Sequence, residues 1–142
     1  MGHLLLPYSK EMGNDPVLDI LPDGPTLTVD PLLGCIADQA ERADETRAIS
    51  SEVISSLKMS DVMRLSASRT IGGNEASVLQ IGRELEAIAA RCTSTAWVLW
   101  NHLAVFHLFV GTLGPDHRAM IDDIVRNREW VCFPAGAGSG VA

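Results

Sequence analysis

Apolar residues recur along this chain at helical spacing and mark out several amphipathic segments around one that is not amphipathic. Leu32, Leu33, Cys35, Ile36 and Ala40 form a stripe behind Asp30-Pro31, an Asp cap followed by proline in the favoured first turn. They predict a helix over residues 30–47 whose second half, DQAERADETR, is solvated. Ser50 or Ser51 caps a second helix, with Val53, Ile54 and Leu57, then Val62, Met63 and Leu65, turned inward. The third helix is the most regular. Val78, Ile81, Leu85, Ile88, Ala89 and Cys92 recur at three and four residues, opposite Arg83, Glu84, Glu86 and Arg91. A last helix opens at Pro115-Asp116, with Met120, Ile121, Ile124 and Val125 inward and Asp122, Asp123, Arg126 and Arg128 outward.

Between the third and last helices lies CTSTAWVLWNHLAVFHLFVGTLG, residues 92–114, a run of roughly twenty residues without a formal charge. At about 1.5 Å rise per residue it is long enough to span a membrane or to form the central helix of a soluble domain. Its polar residues decide between the two. At about 100° per residue, Asn101, His102 and His107 point in three directions, so no face is cleanly apolar. A lone lipid-facing helix would bury at least one of them in hydrocarbon, whereas surrounding protein can supply partners. The run is therefore read as a buried helix capped by Ser94 or Thr95, and a single-span membrane protein ranks last among the readings.

The ends have another character. Residues 1–29 carry Pro7, Pro16, Pro22 and Pro25 with Gly13 and Gly24, which forbids long regular structure and predicts an extended leader. Residues 130–133, Trp-Val-Cys-Phe, read as a short strand with nothing to pair it, followed by a flexible PAGAGSGVA tail. Within the chain, SASRTIGGNEAS is a polar loop, and Gly72-Gly73 marks a turn that needs positive φ or close backbone approach. It lacks the glycine spacing of a phosphate cradle.

Composition narrows the function. With 18 acidic against 11 basic residues and a net charge of -7, the chain has no clustered cations for binding phosphates, so nucleic acid is excluded as a partner. Three distant cysteines, Cys35, Cys92 and Cys132, suggest neither a disulfide framework nor a zinc site. The N-terminus lacks a basic region and an apolar stretch of secretory length, so a cytoplasmic location is expected. No GxSxG elbow is present, and His102 and His107, five apart, stand about 140° apart on a helix, out of register for chelating one metal. What remains is a pocket wall: Trp97, Trp100, Phe106 and Phe109 on one helix with Asn101, His102 and His107 as isolated polar points.

These residues also carry a family likeness. AERADETRAISSEVISSLKMSDVMRL, then IGG where an aromatic-Gly-Gly is common, then RELEAIAARCTSTAW resembles the N-terminal helical domain of the acyl-CoA dehydrogenase superfamily. The closest branch is the flavin-dependent monooxygenases of two-component systems. The family's histidine, some eight residues after that Trp, falls on Val105, and His107 lies two beyond. The resemblance implies an all-α fold of about five helices, divided into a leader at 1–29, a helical domain at 30–129, and the truncated start of a β-domain or a tail at 130–142. It implies a domain that covers a flavin, FAD or FMN, held mainly by other parts of the enzyme and not tightly by this chain alone. It also implies a small aromatic or acyl substrate met by His107, His102, Asn101 and Trp97. No catalytic residue and no metal are assigned, the chain alone is expected to be inactive, and its partners are a second copy or the missing domains, with no membrane. The alternative is a noncatalytic helical interaction module.

Overall fold

The computed structural model describes residues 26–108 and 110–132. Six α-helices occur among them: α1 Leu33–Asp38, α2 Ala40–Thr46, α3 Ser51–Met59, α4 Val78–Ala89, α5 Thr93–Leu108 and α6 Arg118–Asn127. Short 3-10 turns occupy Asp30–Leu32, Asp61–Arg64, Arg69–Ile71, Val110–Thr112 and Pro115–His117. The all-α expectation holds for the described residues, which contain no strand.

Serines set the starts. Ser50 Oγ accepts from the Val53 amide at 3.3 Å and Ser77 Oγ from the Gln80 amide at 3.2 Å, each satisfying a donor that the first helical turn leaves unpaired. Ser60 and Ser68 do the same for two 3-10 turns. Ser60 also explains why the second helix is shorter than its apolar pattern. Its backbone is extended and its hydroxyl donates to the Leu57 carbonyl, so α3 stops at Met59, and Val62, Met63 and Leu65 enter the core from a separate turn. The expected helix over 30–47 is likewise three pieces, broken after Leu32 and at Gln39.

α5 organises the packing. Ala96, Leu99 and Leu103 join Val29, Ile36, Val53, Leu57, Val62, Met63, Leu65 and Ile88 in the larger core, while Phe106 joins Ala67, Ile121 and Val125 in the smaller one. α4 and α5 are linked by a connection of three residues and run antiparallel, so that Val78 and Ile81 at the start of α4 line one groove with Leu103, Ala104 and His107 near the end of α5. No helix among the described residues is long and apolar enough to cross a membrane.

Several positions differ from the sequence pattern. Glu84, expected on the solvated face of α4, is fully buried and accepts the amides of Thr28 at 2.7 Å and Val29 at 2.9 Å. Val29, assigned to the leader, is itself a fully buried core residue, so the fold begins before Asp30. The rest of the leader lies outside the described residues. Val78 and Met120, expected inward, are exposed. Arg128 is not simply outward, since it donates to the carbonyls of Lys58 and Met59, capping the end of α3 and docking α6 against it. Residues 130–132 form no strand, because the Val131 amide is taken by a side chain, His102, and Phe133 and the tail lie outside the described residues.

Candidate functional site

α5 carries two stripes. Thr95, Ala96, Leu99, His102, Leu103 and Phe106, at spacings of three and four, turn into the protein. Trp97, Val98, Trp100, His107 and Leu108 are exposed on the remaining surface. A helix that is apolar all round is normally covered all round. Here part of it is open, and Trp97 retains 64% of its surface. Trp97 stacks on Trp100 with ring centroids 5.2 Å apart and planes inclined by 24°.

The four residues expected to meet a substrate do not share a pocket. His107 lines a groove of about 200 Å³ between α4 and α5 with Val78, Ile81, Trp100, Leu103, Ala104 and Leu108. Trp97 lines a different cavity, nearer α2. Asn101 is half-buried and donates from Nδ2 to the Trp97 carbonyl one turn back, at 3.0 Å. His102 is inside the core. Of the three polar groups expected to be buried together, only His102 is. Val78 and Trp100 complete the groove. Sequence periodicity could not assign Val78 there, because the same stripe that fits a helix to a core also fits it to an open groove.

His102 is a structural hub. Its Nε2 lies 2.8 Å from the Met63 carbonyl and its Nδ1 3.2 Å from the Val131 amide. A carbonyl can only accept and an amide can only donate, so the proton sits on Nε2, Nδ1 accepts, and the ring is neutral. Phe106 and Trp130 approach edge-on, each with ring centroids 5.3 Å away. Burial holds the imidazole below its ordinary value of 6.5, against the opposing influence of the Met63 carbonyl. No Asp, Glu, Lys or Arg side chain of the described residues hydrogen-bonds it, on α5, on the turn bearing Met63 or on the segment bearing Val131.

A pH dependence follows. Well above pH 6.5 His102 is neutral in both folded and unfolded chains and contributes no slope. As pH falls below 6.5 the unfolded chain takes up the proton first, so stability drops until the lowered folded-state value is passed. The contribution is at most about 1.4 kcal/mol per pH unit for one proton. Urea unfolding across this range should show the loss in the native chain, and His102→Gln should flatten it. An equal slope in both would rule His102 out as its source.

Among the described residues no group of three or more His, Cys, Asp or Glu side chains is placed to hold a metal ion. Compared with known proteins, the chain matches no family model, no curated protein and no solved structure.

Proposed function

We propose that this chain is the helical, pocket-covering part of a flavin-dependent oxidoreductase of the acyl-CoA dehydrogenase type, nearest its monooxygenase branch, with the α4–α5 groove as one wall of the substrate pocket. The observation that carries this reading is the open aromatic and apolar surface of α5, with an exposed imidazole, His107, beside an apolar groove. At about 200 Å³ the groove is smaller than ordinary ligand pockets, which start near ~300 Å³. It suits a single ring or a short acyl chain and is too small for a flavin. The cofactor is therefore assigned to other parts of the enzyme, where it would supply the redox chemistry. On this reading Val78, Ile81, Leu103, Ala104 and Leu108 exclude water, and His107 hydrogen-bonds a polar group of the substrate. On this reading His102 serves the fold, with both ring nitrogens engaged in the core, and Asn101, which donates to the Trp97 carbonyl, lies outside the groove lining.

Titration of the isotope-labelled chain with phenol, butyryl-CoA, FMN and FAD, followed by NMR, tests the reading. Phenol or the acyl thioester should shift Val78, Ile81, Trp100 and His107 in fast exchange, while both flavins bind weakly and without fixed stoichiometry. Tight stoichiometric flavin binding by this chain alone would overturn the assignment of the cofactor elsewhere. The absence of any shift in the groove would overturn the substrate role.

A second reading, a noncatalytic interaction module, is favoured by the exposed Val78, Leu79, Trp97, Trp100 and Leu108 on two neighbouring helices. It predicts association as concentration rises. Light scattering that reports a monomer throughout counts against it.

A further inference from the structure

The larger cavity, about 600 Å³, is lined by residues of α2, α3 and α5, shares no lining residue with the α4–α5 groove and is independent of the flavin-enzyme reading. It falls in the ordinary size range of small-molecule sites. Ala43, Ile49 and Ile54 give it apolar lining, and Trp97 lines it too. Its polar lining is Thr93 and Ser94 with two opposite charges, Asp44 on α2 and Arg47, the residue that ends α2. Both residues are exposed to solvent. Neither makes an ion pair or a side-chain hydrogen bond with any described residue, although they are only three positions apart.

Arg47 is one of three non-glycine residues with positive φ among the described residues, with Glu75 and Arg128. It ends α2 in the left-handed conformation, φ 55° and ψ 30°, which glycine adopts without strain and arginine does not. Arg128 ends α6 in the same conformation, but its guanidinium is spent on the Lys58 and Met59 carbonyls, whereas that of Arg47 has no partner among the described residues. A planar aromatic face, an apolar lining, one free cation and one free anion make a definite chemical request. A polyanion would meet Asp44, a polycation would meet Arg47, and a neutral hydrocarbon would use neither. We propose that this cavity binds a small aromatic zwitterion, a free aromatic α-amino acid, with its ring against Trp97, its carboxylate on Arg47 and its ammonium on Asp44.

L-phenylalanine is the probe, followed by NMR of the whole chain and compared with 3-phenylpropionate, which lacks the ammonium, phenethylamine, which lacks the carboxylate, and toluene, which lacks both. The expected result is saturable shifts at Ile49, Thr93, Ser94 and Trp97 with a Kd on the order of 1 mM, as suits a ligand of this size in an open cleft. Each single-charge analogue should bind at least about fivefold more weakly, since it forfeits one charge-assisted contact. Arg47→Gly separates binding from folding. It should melt no lower than the native chain, because glycine relieves the backbone, and should bind L-phenylalanine at least about fivefold more weakly. Absence of saturation by ~10 mM, an order above the expected Kd, would overturn the proposal. So would equal binding of all four probes, or native affinity in Arg47→Gly.

Discussion

Replacing Gly73 by alanine should destabilise the domain by about 2–4 kcal/mol, from overpacking against backbone together with lost loop hydrogen bonds. A Cβ at this position would lie 2.0 Å from the carbonyl oxygen of Ala67, 2.3 Å from its carbonyl carbon and 2.5 Å from its Cβ. None of these atoms can rotate away. Ala67 is buried in the smaller core beside Phe106, Ile121 and Val125. The loop on the other side is pinned by amides of Gly73 to Ser68, Asn74 to Arg64, Glu75 to Ala67 and Ala76 to Leu65, at 2.8 to 2.9 Å. Something in this ladder has to open to admit the methyl group. The neighbouring glycine is the control. Gly72 has φ +84° and meets nothing within 4 Å, so Gly72→Ala should cost only the left-handed backbone, about 1 kcal/mol. Urea denaturation of the two variants checks the difference, and equal losses would mean that the close approach to Ala67 is not what Gly73 is for.

Glu84→Gln should lower stability by about 2–3 kcal/mol while changing the side chain's shape hardly at all. The carboxylate of Glu84 presents two acceptors to two backbone donors, with Oε1 taking the Thr28 amide and Oε2 the Val29 amide. A glutamine amide keeps one acceptor and turns an N–H toward the other donor, which leaves a buried amide unpaired. Both amides stand just ahead of the turn at Asp30–Leu32 that leads into α1, where a run of helical turns leaves its first N–H groups without partners. Val29 is in the core, so losing this tie also loosens apolar packing. Hydrogen exchange should show the amides of Thr28 and Val29 among the best protected in the native chain and unprotected in the variant. Native stability in Glu84→Gln would refute this account.

Both predictions bear on the α4–α5 groove because α4 forms one of its walls. The loop closed by Gly73 delivers the chain to Ser77, which caps α4, and the next residue, Val78, is the first wall of the α4–α5 groove. Glu84, two turns further on, ties α4 to residues 28 and 29 on its buried side. The groove face of α4 is thus held from behind by a buried carboxylate and from its start by a backbone contact. Neither holding residue lines the groove.

Much of this was readable from local chemistry. Ser50 caps α3 as its position suggests, Gly72 uses positive φ and Gly73 uses close approach, whereas Ser94 and Thr95, expected to cap the central helix, lie inside α5, which starts at Thr93. Ile88, central to the stripe of the third predicted helix, is fully buried. These features depend on a residue and its near neighbours in the chain, and near neighbours are what a sequence displays. Glu84 was unreadable for the opposite reason. Its partners are 55 and 56 residues away, and nothing on α4 announces that two amides will arrive there. Residues 130–132 have the composition of a strand but no partner strand, and the buried imidazole of His102 takes the Val131 amide instead.

The candidate site divides along the same line. That residues 92–114 would hold the central helix, and that its polar residues would point in different directions, follows from 3.6-residue periodicity and the identities of Asn101, His102 and His107. Which of those directions is inside was decided only when the other helices packed. His102 faces Met63 and Val131 and is spent on the fold, whereas His107 and Trp97 face gaps that those helices leave uncovered, in two separate cavities. Periodicity orients a side chain about its own helix axis. Burial, and with it the distinction between a residue that holds the protein together and one that is free to bind, depends on what the rest of the chain brings to that side.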